Sequence, residues 1–308
     1  MKYVSLHHHT TFSFGDGYGL PKEHVEFVAG AGMKAIAFTE HGNGSSWVQG
    51  EKACLEHNIK FIPGLEGYIA PPGEQRKFHQ TILAMNQQGF QNLNGLISQS
   101  WRDFYRWPTV HKENLVEHAD GLIILSGCAD SELSCTLLGG KSLGDKRDWD
   151  AVPRENYNAA IRLIEWYKTI FGDRYYLETQ RFPGLKRTCT LNRHLERLSA
   201  DTGVPLAATS DCHYVYARDA EMQKILHASH RGSTVDAVSA EWEYSITLNI
   251  PSSDDQVFDD LKGTGLSDEA AEQALLNTSV IADRVDVELP KVTPLRYPIG
   301  REDYEPWV

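Results

Sequence analysis

Tyr3-Val4-Ser5-Leu6-His7-His8-His9-Thr10 opens the chain with a short apolar run that breaks into three histidines. Along an extended backbone alternate side chains share a side. The imidazoles of His7 and His9 therefore point together and can grip one ion. Phe12-Ser13-Phe14-Gly15-Asp16-Gly17 follows at once and sets Asp16 in a glycine-flanked turn.

The same grammar, an apolar run ending in a metal-type ligand, repeats outward from this start. The runs predict seven strands, at residues 3–6, 35–39, 60–65, 81–85, 122–126, 175–177 and 206–209. Amphipathic stretches such as 22–31 and 157–171 lie between them. Strand and helix alternating in this way predict a parallel α/β sheet or barrel, whose functional groups gather just after the strands. Glu40-His41-Gly42-Asn43 follows the second run, Glu66 the third, Cys128 the fifth, and Asp211-Cys212-His213 the seventh. His79 is irregular, because it precedes its run and joins the others only if that strand is antiparallel or bent.

From about residue 217 the pattern turns to helices alone, at 218–229, 254–261 and 267–285, the last opening on Ser267 with an acidic first turn. Four prolines then mark 290–308 as an extended tail. The expected organisation is a barrel with the metal site over 1–216, a helical annex packed on it over 217–289, and the tail.

With 41% hydrophobic and 23% charged residues, the 308-residue chain has the composition of a globular protein. Thirty Lys and Arg against forty-two Asp and Glu give a net charge of −12, which repels long polyanions and argues against a protein that coats duplex DNA. Five scattered cysteines without a C-x-x-C pair point to a reducing, cytoplasmic setting. The apolar runs are too short for a signal peptide or a membrane span.

Leu6 to Thr10, Phe12 to Gly17 and Thr39-Glu40-His41-Gly42-Asn43 together resemble the opening motifs of the PHP (polymerase and histidinol phosphatase) family. More narrowly, they resemble the PHP domain at the N-terminus of bacterial DNA polymerase III alpha subunits. The likeness continues through Ile62-Pro63-Gly64-Leu65-Glu66-Gly67-Tyr68, Leu125-Ser126-Gly127-Cys128, Tyr176-Leu177-Glu178 and Ala208-Thr209-Ser210-Asp211-Cys212-His213, and covers roughly 1–290. It implies a distorted (βα)7, TIM-like barrel with a C-terminal helical annex. It also implies nine metal ligands at one mouth: His7, His9, Asp16, His41, Glu66, His79, Cys128, Asp211 and His213. These would hold two to three divalent ions, Zn, Mn or Fe. One would sit among His7, His9, Glu66 and Asp211, one among Glu66, His79 and Cys128, and one among Asp16, His41 and His213. Two departures stand out. Glu40 occupies a position where the family usually has Asp, and no polymerase aspartates follow, so polymerisation by this chain alone is not expected.

Three dications against three carboxylates and a thiolate leave the pocket cationic by about two charges, which draws in a phosphate despite the acidic surface. Water activated there, with His7, His9, Glu66 and Asp211 at its centre, needs no serine or cysteine nucleophile. Arg181, Lys186, Arg187 and Arg193 are candidates to guide a strand. The expected function is a metal-dependent phosphoesterase, a 3′ to 5′ exonuclease acting on DNA ends in replication or proofreading. The alternatives are a phosphomonoesterase on a small nucleotide or metabolite, and a non-catalytic, metal-stabilised module that docks a polymerase or another replication protein.

Overall fold

The computed structural model describes residues 1–73, 76–139, 152–241 and 246–291. Seven strands form among them: β1 (Ala35–Phe38), β2 (Lys60–Ala70), β3 (Phe78–Ala84), β4 (Val110–His111), β5 (Leu122–Leu125), β6 (Tyr175–Gln180) and β7 (Leu206–Thr209). The helices between them are α1 (Pro21–Gly30), α2 (Trp47–His57), α3 (Gln87–Arg102), α4 (Lys112–Glu117), α5 (Glu132–Leu138), α6 (Arg154–Phe171) and α7 (Lys186–Thr202). After β7 come α8 (Ala220–His230), α9 (Val235–Glu241), α10 (Asp254–Gly263) and α11 (Asp268–Arg284).

The strands share one sheet in the order β1-β2-β3-β5-β6-β7, with the short β4 paired to β2 alone. Three of the junctions, β1 to β2, β5 to β6 and β6 to β7, are parallel. β3 is antiparallel to both its neighbours, so the sheet is mixed where strict alternation predicts a parallel one. This reversal brings the start of β3 to the end where its neighbours finish, and His79, in its second position, stands opposite Tyr68 of β2.

Residues 3–6 do not form a regular strand, contrary to the sequence reading. The N-terminal segment instead closes the gap between β1 and β7 by single contacts to each. Ser5 bridges Ile36, and His8 bridges Cys212. Ala37 N donates to Ser5 O (2.8 Å), Thr39 N to His8 O (2.9 Å), His9 N to Cys212 O (2.7 Å) and Cys212 N to His7 O (3.2 Å). A barrel closed in this way needs no continuous ladder on either side. The seventh strand is β4, too short and too polar at His111 to stand out as an apolar run.

Side-chain alternation splits the sheet into two faces. Val4, Leu6, Ala35, Ala37, Ile62, Leu83, Ile123, Leu125, Tyr176 and Ala207 form one fully buried cluster, joined by Ile281, Ala282 and Val285 from the C-terminal end of α11. The intervening residues, among them Ile36, Phe38, Ile82, Leu122, Ile124, Leu177 and Leu206, pack against the surrounding helices. α11 begins as its sequence predicts, with Ser267 Oγ accepting from Ala270 N behind an acidic first turn. It closes the barrel end opposite the functional loops. Asn277 donates to Leu206 O at the start of β7, and Lys60 at the start of β2 donates to Ala282 O. The later helices also fasten the N-terminal segment. The Asp254 carboxylate accepts from Lys2 N and Tyr3 N, and Thr278 Oγ1 accepts from Val4 N at 2.9 Å. Residues 246–253 are not helical, and Asn249 bridges Tyr214. The proline-rich tail beyond residue 291 lies outside the described residues.

Thr278→Val keeps the shape of the side chain but leaves the buried Val4 N–H without an acceptor. It is expected to lower unfolding free energy by ~1–3 kcal/mol, read from denaturant melts. A melt identical to that of the parent would contradict the fastening role of α11.

Candidate metal centre

The nine candidate ligands reach the same mouth from seven segments. His7 and His9 lie on the closing segment, Asp16 on the turn after it, His41 after β1, Glu66 within β2, His79 in β3, Cys128 after β5, and Asp211 and His213 after β7. Glu66 lies inside its strand because β2 runs on to Ala70, paired with β3. Two close approaches require glycine. Gly127, at φ +86°, passes so near His79 O that a Cβ would lie 2.4 Å away, and this brings Cys128 beside His79. Gly17 passes Thr10 O so closely that a Cβ would lie 2.0 Å from it, which fixes the Asp16 turn.

Glu66 is the centre of the cluster. Its Oε1 lies 3.2 Å from His7 Nε2 and 3.1 Å from His79 Nδ1; its Oε2 lies 3.4 Å from His9 Nε2 and 2.7 Å from His41 Nδ1. Asp211 Oδ1 faces the same two imidazoles, 3.3 Å from His7 Nε2 and 3.5 Å from His9 Nε2. Cys128 Sγ lies 3.5 Å from His79 Nδ1 and 3.7 Å from Glu66 Oε1. On the other side Asp16 Oδ2 lies 3.1 Å from His41 Nε2 and 3.2 Å from His213 Nε2. All nine sequence-predicted side chains are thus brought to one place. Asp211 has a left-handed backbone, φ +43°, which turns its carboxylate toward His7 and His9 while His213 faces Asp16. The two side chains stay adjacent, with His213 Nδ1 3.6 Å from Asp211 Oδ1, but face different neighbours within the cluster.

Many of these atoms are buried without a hydrogen-bond partner: His7 Nε2, His9 Nε2, His41 Nδ1, Glu66 Oε2 and Asp211 Oδ1. Unpaired polar atoms of this kind are costly to bury. Three ligand groups, His7/His9/Asp211, Glu66/His79/Cys128 and His9/His41/His213, each hold their donor atoms within 4.8 Å of one another. Orphaned donors converging in this way fit divalent cations, and the mixed nitrogen, oxygen and sulfur set suits transition metals.

Outer contacts fix which ring nitrogen is free at His7, His9 and His213. Glu178 Oε1 lies 2.7 Å from His7 Nδ1 and, as a carboxylate, takes that proton, so the Nε2 lone pair faces Glu66 and Asp211. Thr81 and Thr209 hydroxyls donate to the same Glu178 carboxylate. Glu40 accepts from Thr10 N, Thr10 Oγ1 and Ser13 Oγ (2.5 Å). Ser13 Oγ, having given its proton to Glu40, accepts from His9 Nδ1 at 2.8 Å and again leaves Nε2 free. Glu40 thereby orients a ligand at one remove, through a serine. His213 Nδ1 donates to Asp211 O, with the same result.

Charge follows geometry. Burial and the adjacent His41 and His213 rings push the pKa of His9 down to about 3, so its lone pair is available. Burial opposes charge on His213, but the Asp16 and Asp211 carboxylates prevail and lift it to about 9. His7 and His79 are also raised against the effect of burial by neighbouring carboxylates, as is His41 with Tyr68 and Glu66 beside it. Burial, with Glu66, Asp211 and Asp130 nearby, pushes the Cys128 thiol well up. Without a cation the imidazoliums neutralise the carboxylates.

Sequence reasoning gave no role to Gln223 and His227 of α8, whose Nε2 atoms lie 2.8 and 2.6 Å from Asp16 Oδ1. Their i, i+4 spacing, which puts both on one helix face, was the available signal. Two proposed strand guides have other work. Arg181 is buried in an ion pair with Asp260 (2.6 Å) and bonds to Ser210 Oγ and Asn249 O. Arg187 is buried against Ala129 O and Asp130.

The PHP domain profile matches residues 5–182, more than half of the chain. The chain belongs to the PHP family. Among its relatives are the DNA polymerase III alpha subunits of Thermus aquaticus, 32% identical over 98% of this chain and 24% of that one, and of Treponema pallidum, 33% identical over 73% and 19%. The chain spans about a fifth to a quarter of the length of these relatives. A histidinol phosphate phosphatase from Lactococcus lactis, crystallised with zinc, L-histidinol and phosphate, matches with a TM-score of 0.42 and 16% identity, over 76% of this chain and 95% of that one. No helix among the described residues is long and apolar enough to cross a membrane.

Two outcomes follow from the electrostatics. Groups with raised pKa stabilise the ion-free fold while protonated, and that contribution is lost as pH rises through their folded values. The ion-free protein should therefore melt at lower temperature as pH climbs from 6.5 to 9, the upper bound set by His213 at about 9. With Zn²⁺ or Mn²⁺ present this fall should vanish, because ions replace the protons. Parallel pH profiles with and without ions would contradict the assignment. Separately, Glu40→Gln should weaken ion binding by about 10–100-fold, measured by competition with a chelating dye.

Proposed function

We propose that the nine side chains hold three divalent ions and that the centre hydrolyses phosphodiester bonds at nucleic-acid ends, as a 3′ to 5′ exonuclease. The observation that carries this reading is the set of orphaned nitrogen and oxygen atoms that converge around Glu66, an arrangement suited to divalent cations. His7, His9, Glu66 and Asp211 would form one site, Glu66, His79 and Cys128 a second, and Asp16, His41 and His213 a third. When bound, the ions lower the pKa of water toward ~7 and neutralise charge on the phosphoryl oxygens. The protein's part is to fix the ligands. Glu178 and the Glu40–Ser13 pair hold the Nε2 lone pairs of His7 and His9 inward, while Asp211 and Glu66 supply the negative charge that keeps cations bound. His79, Asp16, Asp211 and His41 are the least covered of the ligands and mark the side open to substrate; the His79 side chain is 28% exposed.

Relatedness to DNA polymerase III alpha subunits favours DNA ends over small metabolites and supports a link to a polymerase in replication. Incubated with Mn²⁺ or Zn²⁺, the protein should shorten a 5′-labelled single strand into a ladder. Asp211→Asn should reduce the rate more than about 100-fold, since loss even of a ligand's outer partner costs about 10–100-fold. Release of phosphate from p-nitrophenyl phosphate without a ladder would indicate a monoesterase instead. Inactivity on both substrates would point to a non-catalytic, metal-stabilised module.

A further inference from the structure

We propose that an exposed aromatic cluster, Trp101, Phe104, Tyr105 and Trp107 with Tyr68 behind it, binds single-stranded nucleic acid by base stacking and leads it to the metal centre. The proposal deepens the reading above and rests on it. The four outer residues are exposed by 51, 51, 59 and 48%, an unusual concentration of large rings in solvent.

The rings are ordered in a line toward the candidate metal ligands. Trp107 stacks on Tyr68 with centroids 5.4 Å apart and planes at 27°, and Tyr68 stacks on His41 at 6.1 Å and 26°. A solvent-facing indole is thus joined through one phenol ring to an imidazole that touches Glu66. Trp101 stacks on Phe104 at 5.6 Å and 16°, and its Nε1 donates to Gly42 O, the residue after His41. Tyr105 and Trp107 are held as an antiparallel bridge, with Arg106 at the tip in the left-handed region, φ +63°.

Charge on this face opposes that of the whole molecule. Lys77 lies 5.5 Å over the Tyr105 ring and donates to the Tyr105 and Trp107 carbonyls, and the Arg106 guanidinium lies 5.6 Å from the same ring. Arg102 is exposed beside them, and Asp103 is the one acid among residues 101–107. Open π-faces flanked by cations are what unpaired bases and their phosphates require. A paired duplex offers no base face to these rings. A folded protein seated across Trp107 and Tyr68 would cover His41 and His79 and close the mouth, whereas a single strand can thread past.

The test is fluorescence anisotropy of the full chain with a labelled phosphorothioate oligonucleotide of about a dozen nucleotides, which resists hydrolysis while the ions remain bound. The single strand should bind at least tenfold more tightly than the same sequence as a duplex, in both DNA and RNA form. Trp107→Ala and Tyr105→Ala should each weaken binding at least about fivefold, with ion stoichiometry unchanged. Arg106→Glu, on an exposed side chain, should weaken binding and flatten its salt dependence without lowering the melting temperature. Hydrolysis of phosphoesters by the parent with oligonucleotide binding indifferent to all three variants would overturn the platform and leave the metal-centre reading standing. Binding lost in the variants while the parent hydrolyses no phosphoester would support the platform and overturn that reading. Self-association abolished by Trp107→Ala, with no oligonucleotide bound, would make the patch a protein contact and overturn the proposal.

Discussion

The structure depends on the balance of charge around Glu66, a buried carboxylate with four imidazoles within 3.4 Å. With Asp211 beside it and Asp16 across the cluster, three acids crowd one mouth, and Glu66 at its floor is buried. Such a group is stable only if positive charge enters it. Protons on the histidines can provide that charge at low pH, and divalent ions can provide it at higher pH. The barrel positions this demand. Its parallel strands and one reversed strand deliver ligands to one end, while α11 plugs the other with Ile281, Ala282 and Val285.

Much of this was legible in the sequence, for definable reasons. Apolar runs at 35–39, 60–65, 122–126 and 206–209 coincide with β1, the first half of β2, β5 and β7, because fully buried strands leave an uninterrupted apolar signature. The closing segment at residues 3–6 was equally apolar, yet it forms only isolated bridges. Burial, not ladder pairing, sets its composition, and periodicity cannot distinguish the two. β2 was read too short because Glu66 and Gly67 resemble a loop when their antiparallel partner is not in view. The same reversal of β3 explains the irregular place of His79 ahead of its run.

What the ligand spacing could not show was the layer behind the ligands. Glu178 lies in a strand read only as far as Leu177, and its role emerges from contact with His7 across 171 residues of sequence. Glu40 reaches His9 through the Ser13 hydroxyl. Gln223 and His227 come from a helix far along the chain to grip Asp16. Arg181 and Arg187 had the composition of a basic face but are buried partners of Asp260 and Asp130. Contacts at such sequence separation depend on the closed fold, and a single sequence carries little trace of them.

Anomalous X-ray diffraction from crystals grown with Zn²⁺ or Mn²⁺, collected on both sides of the metal absorption edge, tests the central claim most directly. Anomalous density is expected in the cluster, with one peak between His7, His9, Glu66 and Asp211, a second by His79 and Cys128, and a third by Asp16, His41 and His213. A fully loaded crystal with no peak bounded by Glu66, or with density only at surface residues, would contradict that claim.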